Sequence, residues 1–350
     1  MRFDFCIGNP PYQDETLGDN KGFAPPVYHL FLDNAYAVSS AVEMIHPARF
    51  LFNAGTTPKA WNAKMLNDQH LKVLLYEPNC KVLFPNTEIN GGLAITYHDK
   101  TMEYGAIGTF TAYPALNSII HKVKDSDGFL GMSSIAVSSY AYHFTPAMHS
   151  DFPEVVTRLS QGHMYDLKSN VLEKLPEIFH EELPADGYEY IAIMGRVGNE
   201  RAFRYIRREY INNVVNLDKY KLFISKADGA AGTIGRPIPA RILGTPTIGK
   251  PGTGSTESFL SIGCLDTAIE AENLLKYLKC RFTRTMLGVL KVTQDITPGK
   301  WEYVPLQDFT PASDIDWTQP IPVIDQQLYR KYGLTEEEIA FIESHVKEMT

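Results

Sequence analysis

The chain begins with a short apolar segment that leads into a turn with two consecutive prolines. Residues 3–8 are mostly apolar and end in a glycine, which is typical of a buried strand. Asn9-Pro10-Pro11-Tyr12 follows at once. Each proline fixes its own φ, lacks an N–H group and restricts the residue before it, so this turn is stiff. The Asn9 side chain and the Pro10 carbonyl are therefore held at the carboxyl end of a strand, where ligands of open α/β sheets bind.

Two fixed acceptors beside an aromatic ring suit chemistry on an aromatic amine. The nitrogen of such an amine is a poor nucleophile because its lone pair is delocalised into the ring. The oxygens of Asn9 and Pro10 would accept its two hydrogens and stabilise the positive charge that develops during attack. Tyr12 would stack on an unstacked base. The alternative is a surface Pro-Pro turn with a half-buried tyrosine, and the apolar strand before the turn favours the functional interpretation.

Residues 1–100 alternate between strand-like and helix-like patterns. Strands are predicted at residues 3–8, 42–46, 71–77 and 91–98, and helices at residues 27–40 and 56–68. Strands separated by helices indicate parallel β units. The predicted fold class is α/β, with a partial, doubly wound, Rossmann-like sheet followed by an α+β domain.

The opening segment resembles a known catalytic motif. Ile7-Gly8-Asn9-Pro10-Pro11-Tyr12 is similar to the motif of gamma-class adenine-N6 DNA methyltransferases, above all to the methylase part of type IIG-like restriction–modification proteins. Segments at residues 28–31, 42–51, 71–85 and 91–97 resemble the same family in the same order. The resemblance implies that Asn9, Pro10, Pro11 and Tyr12 are catalytic and act on an adenine flipped out of double-stranded DNA. It also implies that Tyr97 helps to pack the flipped base.

The family binds S-adenosylmethionine through a strand and a glycine-rich loop that precede Asn-Pro-Pro-Tyr. Only eight residues precede Asn9 here, and the Gly252-Thr253-Gly254 segment lacks a strand–helix context. The resemblance therefore implies the carboxyl-terminal part of a methyltransferase, from a split gene, a truncated frame or an engineered fragment. We expect an upstream polypeptide to carry the cofactor-binding half and a nuclease. The isolated chain is expected to bind the cofactor poorly and to be inactive alone.

The distribution of charge indicates where DNA would bind. The net charge is −8, yet residues 190–310 hold 17 Lys and Arg against 11 Asp and Glu, a net of +6. A basic segment within an acidic protein is typical of a surface that binds the phosphates of nucleic acid. Its short strands and long loops resemble the target-recognition domain of these methylases. The predicted DNA-binding residues are Arg196, Arg201, Arg204, Arg207, Arg208, Lys226, Arg236 and Lys250. For any one residue of the arginine cluster, a solvated helix face is the alternative.

Four regions are predicted along the chain. They are the second half of a catalytic domain at 1–100, a connector at 101–189, the recognition domain at 190–311 and a helical tail at 312–350. Within them we expect a strand at 133–140, one helix at 268–286 and two tail helices, the second starting from a capping box at Thr335.

Other features exclude some classes and leave two further functions open. The histidines and the four scattered cysteines show no metal-ligand spacing, so no metal site is predicted and a reducing cytoplasm is expected. No apolar run is long enough to span a membrane. A non-catalytic DNA-specificity module is the second interpretation. A protein-glutamine methyltransferase is the third, since such enzymes also use Asn-Pro-Pro-Tyr, but the long basic segment argues against it.

Overall fold

The computed structural model describes residues 3–14, 24–85, 89, 91–198 and 200–349. The chain divides into two compact units, Met1–Asn117 and Ser118–Thr350, both built from helices and sheets. The predicted boundaries at residues 100, 189 and 311 stay predictions.

The strands are β1 (Phe3–Gly8), β2 (Ser39–Pro47), β3 (Leu71–Glu77), β4 (Leu93–Asp99), β5 (Ala136–Val137), β6 (Tyr190–Val197), β7 (Glu200–Arg207), β8 (Tyr220–Ser225), β9 (Thr247–Gly249), β10 (Thr253–Ser255) and β11 (Phe259–Leu265). The helices are α1 (Tyr28–Val38), α2 (Lys59–Leu66), α3 (Pro114–Lys124), α4 (Pro146–Asp151), α5 (Val171–Lys174), α6 (Ala268–Lys279), α7 (Arg281–Leu290), α8 (Ile321–Lys331) and α9 (Glu336–His345).

The first unit contains a four-stranded sheet in the order β1-β2-β4-β3. All four strands predicted for residues 1–100 are present, but only β1 and β2 run parallel. β4 is antiparallel to both β2 and β3, so the expectation of parallel pairing throughout is wrong. The described part of the connection from β3 to β4 holds only a short 3₁₀ turn, Cys80–Val82. A parallel crossover usually needs a helix, and an antiparallel neighbour does not.

The two faces of this sheet differ in how they are covered. Both α1 and α2 pack into one core that contains Val42 and Met44 of β2. A doubly wound sheet instead carries helices on both faces. The opposite face carries apolar side chains of β1 that stay in contact with solvent: Phe3 is 48% exposed, Phe5 49% and Ile7 70%.

The second unit contains two further sheets, in the orders β10-β6-β7 and β5-β11-β8-β9. The strands predicted near residues 190, 221, 247 and 259 are confirmed. The strand predicted at 133–140 is largely wrong, because a 3₁₀ turn at Met132–Ile135 leaves only the two residues of β5. The tail forms α8 and α9, and the Thr335–Glu338 capping box is confirmed.

The helix predicted at residues 268–286 is broken at Cys280, whose backbone is extended at φ −59° and ψ 141°. A new helix, α7, starts at the next residue. The Asp325 carboxylate accepts the N–H groups of Arg281 at 3.0 Å and Phe282 at 2.9 Å, two donors that a helix start leaves unpaired. Burial raises the pKa of Asp325 to about 6. The break is therefore stabilised by a partner more than forty residues away.

A buried lysine ties several backbone segments of the second unit together. Lys221 is fully buried, and its ammonium donates to the carbonyls of Leu217 (2.8 Å), Lys219 (2.9 Å) and Lys250 (3.1 Å). Burial lowers the pKa of Lys221 to about 7. We expect Lys221→Met to lower the free energy of unfolding in urea by about 2–3 kcal/mol, because three carbonyls lose their donor.

The control for this substitution is Lys219→Met. Lys219 forms an exposed ion pair with Asp266, and exposed pairs are worth about 0–1 kcal/mol. Equal losses for the two variants would show that the carbonyl contacts of Lys221 contribute nothing specific.

Candidate functional site

The Asn9–Tyr12 turn starts where β1 ends and folds back on the segment before α1. The Tyr12 carbonyl accepts the N–H of Val27 at 3.1 Å, and Asp14 donates to the carbonyl of Pro25 at 2.9 Å. Pro10 is buried, whereas Asn9 is exposed. The turn is therefore anchored on both sides and leaves the Asn9 amide accessible.

The four residues of the turn line one open cavity of about 460 Å³ together with Phe84. Phe84 comes from the connection after β3, and the sequence analysis assigned it no role. Its signal in the sequence is Val82-Leu83-Phe84-Pro85, an apolar run whose first two side chains stay exposed. An aromatic ring on a second segment gives the cavity two rings, Tyr12 and Phe84, which suits a flat aromatic ligand.

Tyr12 is an uncharged aromatic wall of this site. Its hydroxyl is buried without a hydrogen-bond partner among the described residues. Burial raises the pKa of Tyr12 to about 12, so the phenol keeps its proton at neutral pH. The geometry therefore favours stacking by Tyr12 over proton transfer.

A second pocket, of about 250 Å³, lies against Tyr12 and is lined by Gln13, Pro26, Tyr28, Pro47, Arg49, Gly55, Thr56, Thr57 and Ile89. The stem of Arg49 fits between two glycines. A Cβ at Gly91 would lie 2.8 Å from Arg49 Cγ, and one at Gly55 would lie 3.1 Å from Arg49 Cβ. Both glycines also have φ near +90°, which other residues rarely adopt. Arg49 is thus a positioned cation that the sequence analysis did not single out.

A neutral histidine supports the walls of the second pocket. His46 is fully buried and stacks on Tyr28, with ring centroids 5.7 Å apart. Its Nδ1 lies 3.1 Å from the Pro47 carbonyl and its Nε2 lies 2.8 Å from the Thr96 hydroxyl. Because a carbonyl only accepts, Nδ1 carries the proton and Thr96 donates to Nε2. Burial lowers the pKa of His46 to about 4.

This histidine predicts a pH dependence of stability. The pKa of His46 is about 4 in the folded state and about 6.5 when unfolded, so the unfolded state binds more protons between these values. The stability that follows from burying His46 in its neutral form is fully present above pH 6.5 and is lost as the pH falls through 4. It is worth about 3 kcal/mol. Urea unfolding at pH 7 and pH 4 should show this loss in the wild type, whereas His46→Gln should show a pH effect smaller by that amount. Equal pH effects in both proteins would contradict the role of His46.

Tyr97 lies on the other face of the first sheet. It is opposite Glu43 in the middle of β4, and its ring centroid is 6.3 Å from that of Phe5. Its hydroxyl donates to Asp99 at 3.2 Å. Glu43 of β2 pairs with Tyr97 on one side and with Ile7 of β1 on the other, so Tyr97 lies two strands away from a residue that precedes the Asn9–Tyr12 turn by two positions. Tyr97 lines neither of the two pockets described above, and its assignment to the base pocket stays a prediction.

The arginine cluster lies on the β6–β7 hairpin and the turn after it, so the helix-face alternative is wrong. Three of its members contact carboxylates. The pairs are Arg204–Glu181 at 2.5 Å, Arg207–Asp186 at 3.8 Å and Arg208–Asp218 at 2.5 Å. Part of the positive charge predicted to face DNA is therefore neutralised within the protein.

The other predicted DNA-binding residues occupy different positions. Arg196 and Arg201 face each other across the hairpin. Lys226 bonds to the hydroxyl of Tyr140. Arg236 and Lys250 are exposed, Lys250 in the turn between β9 and β10. DNA binding by these residues stays a prediction.

Within the described residues, no group of three or more His, Cys, Asp or Glu is arranged to hold a metal ion. In that same part of the chain, no helix combines the length and apolar character needed to cross a membrane.

The match of this chain to a protein family lies in the unit that carries the turn. Residues 1–84 match the family described as Eco57I restriction-modification methylase. No curated protein matches the chain.

Two solved structures are similar at low identity. One is the type IIG restriction endonuclease BpuSI, at 9% identity and a TM-score of 0.30, covering 89% of this chain and 44% of that one. The other is the type IIL restriction-modification enzyme MmeI in complex with DNA, at 9% identity and a TM-score of 0.32, covering 97% of this chain and 56% of that one. The chain thus spans about half the length of these proteins.

Proposed function

We propose that this chain carries the Asn-Pro-Pro-Tyr catalytic part of an adenine-N6-specific DNA methyltransferase of a restriction–modification system, of the gamma class and type IIG-like. One observation carries the proposal: the Asn9–Tyr12 turn and Phe84 line a single cavity at the carboxyl end of β1. The match of residues 1–84 to a restriction-modification methylase supports the same chemistry.

In this proposal the cavity takes the flipped adenine. Asn9 Oδ1 and the Pro10 carbonyl accept the two hydrogens of the exocyclic amino group. These acceptors draw the lone pair out of the ring and stabilise the positive charge that develops on nitrogen during attack. The new N–C bond would form as the methyl–sulfur bond of the sulfonium donor breaks, leaving a neutral thioether, and the nitrogen would then lose one proton to solvent. No covalent bond to the protein is needed.

Tyr12 and Phe84 are the aromatic side chains that would contact the base. Flipping costs a few kcal/mol, and stacking on aromatic rings offsets about 1–3 kcal/mol per base. Because the pKa of Tyr12 is raised by burial, its ring stays neutral through the reaction. The base is thus held by stacking while the amino group is held by oxygens.

S-adenosylmethionine supplies the methyl group when it is bound. The glycine-rich segment at residues 252–254, which lies within the described part of the chain, does not fit it. Thr253–Ser255 forms β10, paired with β6, and a Cβ at Gly254 would lie 2.9 Å from Ile193 and 3.0 Å from Tyr142. That segment is a packed strand and not a cofactor loop. We propose that a partner polypeptide supplies cofactor binding.

The edge of the first sheet supports such a partner. β1 is the outer strand, so one row of its backbone N–H and C=O groups lies outside the sheet. Its apolar side chains Phe3, Phe5 and Ile7 are exposed, although the segment has the composition of a buried strand. Addition of strands from a cofactor-binding half would pair this edge.

The test is transfer of labelled methyl from S-adenosylmethionine to mixed-sequence DNA, with and without the natural upstream polypeptide. Label on adenine only in the combined sample would support the proposal. A reconstituted complex that binds DNA but transfers nothing would contradict it. That result would favour the second candidate, a non-catalytic DNA-specificity module, which the packed geometry of Thr253–Ser255 also favours.

A further inference from the structure

Two arginines lie directly opposite each other near the tip of the β6–β7 hairpin. Arg196 of β6 pairs in register with Arg201 of β7, and Val197 and Glu200 form the last pair before the turn. Both guanidinium carbons lie over the same ring, that of the fully buried Phe259, at 5.7 and 5.6 Å from its centroid. Like charges directly opposite each other on neighbouring strands destabilise a sheet.

Packing and hydrogen bonds keep this pair in place despite the repulsion. Arg201 donates to the hydroxyl of Thr247 and, at 2.8 Å, to the carbonyl of Thr245. Burial and the charge of Arg196 lower the pKa of Arg201, and Asp228 partly opposes that effect. Asp228 also lies 3.5 Å from Arg241. A guanidinium has five N–H donors, so the two bonds to threonines leave others for a ligand.

We propose that Arg196 and Arg201 together bind one phosphate of the DNA backbone. This inference rests on the proposed function only in taking DNA as the partner. A phosphodiester offers two non-bridging oxygens and one negative charge, which matches two guanidinium groups and relieves their repulsion. A guanine edge, the other common partner of arginine, engages only one guanidinium.

The same hairpin region supplies matched controls. Arg204 and Arg208 each contact a carboxylate at 2.5 Å, of Glu181 and Asp218 respectively. Their charges are already compensated. They should therefore contribute little to phosphate binding, although they belong to the same cluster in the sequence.

The experiment is a salt titration of the affinity of the full chain for mixed-sequence duplex DNA, followed by fluorescence anisotropy. Loss of one phosphate contact reduces the magnitude of the negative slope of log K against log [salt] by about 1. We expect this change for Arg196→Ala and for Arg201→Ala. The double variant should lose little more than either single one, because both side chains bind the same phosphate. Arg204→Ala and Arg208→Ala should keep the wild-type slope.

Arg201→Lys distinguishes phosphate binding from guanine recognition, because it keeps the positive charge but removes the planar guanidinium. It should retain most of the affinity, since a phosphate accepts a lysine. A loss as large as that of Arg201→Ala, confined to some DNA sequences, would indicate guanine recognition and overturn the proposal. Equal slope changes for Arg204→Ala, or no DNA binding by the wild type, would also overturn it. Absence of methyl transfer with these slope changes intact would count against the proposed function alone.

Discussion

When the chain is assembled with the proposed partner polypeptide, Asn9→Ala should lower the rate of methyl transfer by about 10²–10³-fold. This is the usual effect of removing one preorganised group that stabilises developing charge. DNA affinity should change little, because Asn9 contacts only the amino group in the proposed complex. Single-turnover transfer of labelled methyl gives the rate, and anisotropy with the same DNA gives the affinity.

The control for Asn9→Ala is Asn67→Ala, which removes an exposed amide at the end of α2 in the same unit. It should leave both the rate and the affinity unchanged. A parallel fall in rate and affinity for Asn9→Ala would mean that Asn9 acts in DNA binding or folding, and its proposed role would have to be abandoned.

Gly92→Ala should cause one of the largest losses of stability in the first unit, about 4 kcal/mol. Gly92 has φ +77°, and its added Cβ would lie 2.4 Å from the Glu77 carbonyl oxygen and 2.8 Å from Pro78 Cα. Backbone strain of this kind costs about 1–3 kcal/mol, and overpacking costs a similar amount. The Gly92 carbonyl also accepts the N–H of Ala48 at 3.0 Å, next to the pocket-lining Pro47. The substitution should therefore disturb the pocket as well.

Gly105→Ala is the matched control for this prediction. Gly105 has φ +82°, but no atom lies within 4 Å of its added Cβ. Urea unfolding of the two variants thus separates the cost of the steric clash from that of the backbone conformation. If the free energy of unfolding falls by the same amount in both variants, the close approach of Gly92 to Glu77 does not add to the loss of stability.

Local patterns in the sequence predicted where most elements of the first unit lie but not how they pair. The apolar run at residues 71–77 marks β3 and the run at 91–98 marks β4. Nothing in either run shows that β4 inserts antiparallel between β2 and β3, since direction depends on the connection and on tertiary packing.

Long-range contacts explain the elements and site residues that the sequence did not predict. Helical periodicity continues through Cys280, and the helix breaks there because Asp325, distant in the chain, binds the N–H groups that follow. Charge clustering picked out Arg204, but its partner Glu181 is more than twenty residues away. The Asn9–Tyr12 turn was recognisable from its own residues. Phe84 joins it only through the fold.

The exposed edge of β1 has a consequence for how the protein is made and stored. Among the described residues, β1 is an outer strand and exposes the side chains of Phe3, Phe5 and Ile7, so it can pair with another extended chain, including a second copy of itself. We therefore expect the weight-average molecular mass measured by light scattering to rise with protein concentration. Co-production with the proposed partner polypeptide should raise the soluble yield, because the partner would cover this edge.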